Sequence, residues 1–132
     1  MKKIKGTKKG IRGSIILPGD KSISHRAVIL GSLATGTTKI KGFLTGKDCL
    51  NTVKIFQHMG VPITVNGTNV TIKGVGLDGL EKPNRALDVG NSGTAFRLIL
   101  GVLAGQKFIT KLNGDKSIQS RPMKRVTEPL KK

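Results

Sequence analysis

The sequence repeats itself at an offset of 70 residues, and this repeat restricts the possible folds more than any other feature. The following positions coincide: Ser22 with Ser92, Ile29 with Ile99, Leu30 with Leu100, Gly31 with Gly101, Leu33 with Leu103, Ala34 with Ala104 and, after the loss of one residue, Gly36 with Gly105. A period of this length is far longer than a solenoid repeat. It predicts a duplicated α/β unit of βαβαββ type, with unit one over 18–88 and unit two over 89–132. The second unit stops before any counterpart of the Asn66-Gly67 turn, so we expect an N-terminal fragment of a longer protein.

Hydrophobic spacing predicts the elements of unit one. A helix is expected over 21–34 after the capping residue Asp20, and a strand over 37–43. Thr45 and Asp48 have the spacing of a capping box for a second helix that ends at Gly60. Asn66-Gly67 between apolar positions predicts a β-hairpin. The basic segment 1–17 is predicted to be a strand that needs other structure to lie on.

Unit two is expected to begin with a helix over 92–104 that is capped by Asn91. A strand over 107–112 follows. Ser120 and Pro122 are expected to open a last helix that continues to Lys132.

The chain is strongly basic, with 24 Lys and Arg against 7 acidic residues and a net charge of +17, so an anionic partner is expected. Nucleic-acid binders usually combine such charge with aromatic stacking surfaces. This sequence has no Trp, no Tyr and four Phe, which weakens that interpretation. It has no apolar run near the roughly 18 residues of a membrane span, and its single cysteine, Cys49, suits a reducing cytoplasm.

Two helix starts carry residues suited to anions. The first, PGDKSISHR over 18–26, brings Lys21, Ser22 and Arg26 to the positive end of a helix dipole. Its repeat-equivalent, VGNSGTAFR over 89–97, places glycines, hydroxyls and an amide at another helix start, where the backbone can approach a ligand. The same kind of site is therefore expected twice.

A third basic segment, GDKSIQSRPMKR over 114–125, places Arg121 just before Pro122. Its guanidinium could hold a carboxylate or phosphate with two hydrogen bonds.

Other chemistry is disfavoured. The glycine spacing is not that of a P-loop. No cluster has metal-ligand spacing. We interpret His25 as solvated or structural, His58 as a group near a helix end, and Cys49 as buried and inert.

Three separated motifs resemble, in order and spacing, the N-terminal part of the 5-enolpyruvylshikimate-3-phosphate synthase family. They are LPGDKSISHRA over 17–27, DVGNSGTAFR over 88–97 and SRPM over 120–123. The resemblance covers essentially the whole chain. It implies an inside-out barrel with two lobes of three βαβαββ units each, of which about two units are present here. Residues 1–17 would belong to the other lobe, and 18–132 to an incomplete lobe that binds shikimate phosphate.

The resemblance also implies a reaction. The enolpyruvyl group of phosphoenolpyruvate would move to the 5-hydroxyl of shikimate 3-phosphate, with release of phosphate and without a metal or organic cofactor. Lys21, Ser22 and Arg26 would hold shikimate 3-phosphate. A second set would bind phosphoenolpyruvate: Lys21, Asn91, Gly93, Thr94 and Arg121. The general acid and base carboxylates would come from the missing lobe, so the fragment alone is expected to be inactive.

The resemblance further implies a cytoplasmic enzyme of aromatic amino acid biosynthesis, monomeric when full length, without nucleic-acid or membrane partners. Ser92 stands where many relatives have alanine, in a stretch that the resemblance associates with glyphosate contact. Three alternatives remain open: the related transferase acting on UDP-N-acetylglucosamine, a basic nucleic-acid-binding module, and a noncatalytic remnant.

Overall fold

The protein was analysed as a computed structural model, which describes residues 2–6, 10 and 12–131. The first unit contains α1 (Lys21–Leu33), β1 (Thr35–Ile40), α2 (Lys47–His58), β2 (Ile63–Asn66) and β3 (Asn69–Val75). The second contains β4 (Leu87–Asp88), α3 (Gly93–Ala104), β5 (Leu112–Asn113), α4 (Lys116–Gln119), α5 (Lys124–Thr127) and a 3-10 turn at Pro129–Lys131. This order confirms a mixed α/β fold.

The first unit is a three-stranded antiparallel sheet covered by helices. Its strand order is β1-β3-β2, with Thr38 opposite Ile72 and Val65 opposite Val70. The β2–β3 hairpin forms at the predicted turn, where Gly67 has a φ of 56°. Such a left-handed conformation is easy only for glycine.

In the second unit, the short strands β4 and β5 pair in parallel, with Leu87 opposite Leu112. The chain crosses between them through α3, so this is a βαβ crossover. The loops that follow β4 and β5 meet at the same end of the pair. Ligands of open α/β sheets usually bind at this end.

One hydrophobic core joins the two units. Val28 of α1, Phe56 of α2 and Ile72 of β3 are fully buried. Leu87, Ile99 and Ile118 extend the same cluster into the second unit. Cys49 and Val53 of α2 are buried as well, which confirms the interpretation of Cys49 as a buried residue.

Several predicted boundaries of unit one are wrong. The capping box at Thr45 is absent, because Gly46 is the N-cap of α2 and makes no side-chain cap hydrogen bond. Strand β1 begins at Thr35 rather than at residue 37 and ends at Ile40 rather than at residue 43. The described residues between 2 and 17 form no strand, and Ile15 and Ile16 are exposed there.

The second unit is less regular than predicted. The strand expected over 107–112 is reduced to Leu112–Asn113. The last helix, expected to open at Ser120 and Pro122, is reduced to α5, which begins at Lys124, and the 3-10 turn that begins at Pro129. The short helix α4 before Pro122 was not predicted.

Candidate anion-binding site

The N-terminus of α3 is capped by Ser92, not by Asn91 as predicted. The Ser92 hydroxyl accepts from the Ala95 N–H at 3.1 Å, and its carbonyl accepts from the Phe96 N–H at 3.0 Å. The first N–H groups of a helix have no acceptor inside the helix, and the helix dipole makes this end positive. Gly93 and Thr94 therefore form the anion-attracting start of α3.

The N-terminus of α1 has the same design. Asp20 Oδ1 accepts from the Ile23 N–H at 2.7 Å, and the Asp20 carbonyl accepts from the Ser24 N–H at 3.0 Å. In both helices the capping side chain thus bonds the N–H three residues further on. The repeat seen in the sequence is therefore also a repeat of capping geometry.

Lys21, the first residue of α1, forms an ion pair with Asp48 in the first turn of α2. The Lys21 side chain is half exposed, while that of Asp48 is 25 % exposed. The pair fixes the lysine amine between the N-termini of two helices. A small cavity of about 270 Å³ opens beside it, with Leu44 and Cys49 among its lining residues. Burial raises the pKa of the Cys49 thiol, so the thiol stays protonated, in agreement with its interpretation as inert.

Arg121 is positioned by two acceptors from different elements. Its Nη2 donates to Asn91 Oδ1 and to Ser117 Oγ, both at 3.3 Å. Asn91 is held in turn by Asp115, because its Nδ2 donates to Asp115 Oδ2 at 2.6 Å. One amine group of Arg121 is thus occupied, and the other, Nη1, lies over the start of α3.

Gly93 is the point where this guanidinium meets α3. A Cβ placed on Gly93 would lie 2.9 Å from Arg121 Nη1 and 3.1 Å from Arg97 Nη1. Only a residue without a side chain allows both guanidinium groups to come so close to the helix start. Arg97 also donates to the Gly93 carbonyl at 3.4 Å.

Asp115 anchors the loop that carries Asn91. Its Oδ1 accepts from the Ile118 N–H at 2.9 Å, and its own N–H donates to the Gly90 carbonyl at 2.9 Å. The hydrogen bond from the Ile118 N–H is the main cause that lowers the pKa of Asp115, and the bond from Asn91 acts in the same direction. Asp115 is therefore a carboxylate at neutral pH, and it serves as a structural acceptor.

A polar cleft of about 380 Å³ joins these groups. It lies at the carboxyl ends of β4 and β5. Its walls come from the start of α2 and from the loops after both strands: Lys47, Asp48, Asn51, Asp88, Gly90, Asn91, Asn113, Gly114 and Asp115. Asp48 and Asn91 line this cleft and are also bonded to Lys21 and Arg121, so both cations border the same space.

Buried polar side chains connect the two helix starts. His25 Nδ1 lies 2.8 Å from Thr52 Oγ1, and His25 Nε2 lies 3.5 Å from Ser92 Oγ. All three residues are buried, and His25 is fully so. Of the two interpretations left open for His25, the structural one is confirmed.

The structure brings three of the predicted site residues together: Arg121 bonds to Asn91 and lies against Gly93. Of the predicted residues, Asn91 alone lines the cleft, and Lys21 is joined to it through Asp48. Ser22 and Arg26 lie on the first turns of α1, and Thr94 is exposed at the second position of α3.

The sequence interpretation missed Asp48, Asp115 and Ser117, which hold the predicted cations and amide in place. Asp48 occurs at a predicted helix start and Asp115 caps α4, and a carboxylate at such a position has a local role as a cap or first-turn acid. Their second role, holding the predicted cation or amide in place, is visible only in the folded structure. No spacing in the sequence indicates this role.

Two helix starts, each with an associated cation, and a polar cleft at the end of a parallel strand pair are features typical of α/β proteins with anion-binding sites. Comparison with known proteins identifies the family within this class. The family model of EPSP synthase (3-phosphoshikimate 1-carboxyvinyltransferase) matches residues 5–132. The chain belongs to this family.

Individual relatives agree with the family match. The chain is 60% identical over 122 residues to the 3-phosphoshikimate 1-carboxyvinyltransferase of Bacillus cereus strain G9842, and 62% identical over 122 residues to that of Ruthia magnifica. Each alignment covers 92% of this chain and 28% of the relative. The solved structure of EPSP synthase from Acinetobacter baumannii matches with a TM-score of 0.86 and 48% identity, over 90% of this chain and 27% of that one. The chain thus spans little more than a quarter of the length of these relatives.

Of the two transferase families considered above, the matching family model is that of EPSP synthase. Within the described residues, no helix combines the length and apolar character needed to cross a membrane. Over the same residues, no group of three or more His, Cys, Asp or Glu could hold a metal ion.

Proposed function

We propose that this chain supplies the anion-binding part of an enzyme that transfers the enolpyruvyl group of phosphoenolpyruvate to the 5-hydroxyl of shikimate 3-phosphate, releasing phosphate. Both substrates carry a phosphate and a carboxylate. A cleft bordered by Lys21 and Arg121 and by two positive helix ends has the electrostatics that such ligands require. The names of the relatives support the same reaction.

The observation that carries the proposal is the arrangement around Gly93. Arg121 Nη1 and Arg97 Nη1 both approach the start of α3 at a residue that has no side chain. An anion bound there meets guanidinium groups and backbone N–H groups together. We assign phosphoenolpyruvate to this position, with Asn91 and Thr94 shaping the loop.

Shikimate 3-phosphate is assigned to the start of α1. Ser22 and Arg26 are one helical turn apart on this helix, so their side chains share a face with each other. The ion pair with Asp48, which lines the cleft, holds Lys21 at the edge of this cleft, where it would contact both ligands. The addition and elimination steps need a general acid and a general base, which we expect from carboxylates outside this chain.

We also propose that the enzyme acts in the cytoplasm, as a monomer, on these small anions and not on nucleic acid or membranes. The basic charge of the chain then serves its substrates.

The Arg121→Ala variant tests the ligand assignment. Loss of the guanidinium should weaken phosphoenolpyruvate binding by about 2 kcal/mol and shikimate 3-phosphate binding by much less, as measured by isothermal titration calorimetry. Arg85→Ala is the matched control. It removes an exposed arginine just before β4, at the opposite end of the strand pair from the cleft. Equal losses for both ligands in Arg121→Ala, or the same loss in Arg85→Ala, would contradict the assignment.

A further inference from the structure

His25 connects the two units through a buried polar path. Its ring belongs to α1, whereas its partners are Thr52 of α2 and Ser92, the cap of α3. Ser92 lies 67 residues away in the sequence, in the other copy of the repeat. The exposed fraction is 0% for His25 and Thr52 and 2% for Ser92. Water therefore has little access, and each polar atom depends on its protein partners.

The hydrogen bonds along this path have a single consistent direction. Thr52 Oγ1 donates its hydrogen to the Asp48 carbonyl at 3.4 Å, so it accepts from His25 Nδ1. The neutral ring then carries its hydrogen on Nδ1 and a lone pair on Nε2. Ser92 Oγ accepts from the Ala95 N–H and uses its own hydrogen to donate to Nε2. Each hydroxyl hydrogen is used once, and each ring nitrogen has one partner.

We propose that His25 is a positioning residue whose ring, in the Nδ1–H form, holds the Ser92 hydroxyl in its capping orientation. It thereby fixes the Gly93 turn relative to the start of α1. Lys21 lies one helical turn before His25, and Gly93 directly follows Ser92, so the ring sets the distance between the two helix starts. The consequence for ligands rests on the proposed function: the two anion sites are coupled through this ring.

The surroundings of the ring favour its neutral form. Burial is the main cause that lowers the pKa of His25, and the positive charge of Lys21 adds to it, while Asp48 acts in the opposite direction. A protonated ring would donate from both nitrogens. The Ser92 hydroxyl would then lose the acceptor for its hydrogen.

The hydrogen position can be measured directly by nitrogen NMR on histidine-labelled chain. We expect a pyrrole-type signal for His25 Nδ1 and a pyridine-type signal for Nε2. The chain has two histidines, and the exposed His58 at the end of α2 provides the internal reference for a ring in tautomer exchange. In Thr52→Val the acceptor for Nδ1–H is lost while the shape is kept, so the hydrogen should move to Nε2. A pyrrole-type Nε2 in the unmodified chain, or no change in Thr52→Val, would overturn the proposal.

A pair of substitutions separates positioning from space filling. The asparagine side chain is shorter than that of histidine, so His25→Asn keeps a polar group near the position of Nδ1 but cannot reach Ser92. The longer side chain in His25→Gln extends to the position of Nε2. We expect the Ala95 amide to exchange with solvent about fivefold faster in His25→Asn, which is the effect of a weakened N-cap, and close to normally in His25→Gln. Equal exchange in the two variants would show that the ring only fills space.

The proposed coupling between the two anion sites is tested by a separate binding measurement. Shikimate 3-phosphate should raise the affinity for phosphoenolpyruvate in the unmodified chain and in His25→Gln, and raise it less in His25→Asn. If neither ligand binds the unmodified chain, the proposed function fails, whereas the NMR result still decides the role of His25.

Discussion

Two guanidinium groups lie against Gly93. Substitution by alanine tests whether this close approach requires a residue without a side chain. In Gly93→Ala the new methyl group would meet Arg121 Nη1 at 2.9 Å and Arg97 Nη1 at 3.1 Å. Both are the far ends of flexible side chains, so the arginines move and the fold survives. We expect phosphoenolpyruvate binding to weaken about tenfold, since the anion loses its aligned donors, and calorimetry would measure this.

Gly101→Ala is the matched control for this change. Gly101 belongs to the same helix, is exposed, and has nothing within 4 Å of an added Cβ. Alanine there should leave binding unchanged and stabilise the chain by about 0.5–1 kcal/mol, because glycine is a poor helix former. Weaker ligand binding in Gly101→Ala would argue against a steric origin of the Gly93 effect.

His25 makes the stability of the chain depend on pH. Its pKa in the folded chain lies below the ordinary value of 6.5, mainly because the ring is buried. As the pH falls through about 6.5, the unfolded chain takes up a proton before the folded chain does. We therefore expect the free energy of unfolding to decrease as the pH falls below about 6.5, compared with its value near pH 7.5, as measured by urea titrations at several pH values.

His58→Gln should leave this pH dependence intact, whereas His25→Gln should remove it. Protonation of Asp115 does not contribute to the pH dependence of stability in this range. Its pKa is lowered from 3.8, so its contribution is lost only at more acidic pH. A pH slope that persists in His25→Gln would show that another group causes it.

At the scale of elements, α1 packs unusually close to β3. A Cβ on Gly74 would lie 2.2 Å from the Ala34 carbonyl oxygen and 2.5 Å from the Gly31 carbonyl oxygen. These are backbone atoms, so Gly74→Ala must push the helix away from the sheet. We expect a loss of about 2 kcal/mol or more in the free energy of unfolding, measured by urea denaturation.

The neighbouring substitution Lys73→Ala is the control, because Lys73 is an exposed residue of the same strand. It should change stability by less than about 0.5 kcal/mol. A similar loss in both variants would mean that β3 is sensitive to any substitution and that the close approach of α1 is not the cause.

The elements that the sequence predicted well are those with strong local signals. Helix α1 has the Asp20 cap, and the β2–β3 hairpin has glycine at its turn. Helix α3 was predicted, but its cap was assigned to Asn91. Both Asn91 and Ser92 are good caps by residue type, and the tertiary bond between Asn91 and Asp115 selects Ser92.

The predicted extent of strand β5 was wrong for a different reason. The segment 107–112 contains Phe108, Ile109 and Thr110, residue types that favour strands, yet only Leu112 and Asn113 find a partner in the two-residue β4. Strand length depends on the neighbouring strand and cannot be read from the segment alone.

At the scale of the whole molecule, the sequence predicted candidate site residues but not the groups that hold them. Lys21, Gly93 and Arg121 were predicted because cations and glycines at helix starts indicate anion binding. The supporting roles of Asp48 and His25 were not predicted, because a carboxylate in a helix turn and a lone histidine have common structural roles. Their contacts cross 27 and 67 residues, and only the folded chain shows them.

The whole chain should bind its ligands without turning them over. We expect phosphoenolpyruvate and shikimate 3-phosphate each to stabilise the chain by about 2.7 kcal/mol at a hundredfold excess over Kd, measured by thermal unfolding. No phosphate release should accompany this, because we expect the general acid and base from carboxylates outside this chain. Catalytic phosphate release by the purified chain would contradict the proposal that the general acid and base lie outside this chain.

The ion pair between Lys21 and Asp48 has a consequence for how fast ligands exchange. Under the proposed function, the lysine is already paired before substrate arrives, so an incoming phosphate would replace a neighbouring carboxylate. On departure of the ligand the carboxylate would return to the lysine and lower the free-energy cost of release. Asp48 would then occupy the place of the ligand between binding events and moderate the affinity of the cleft.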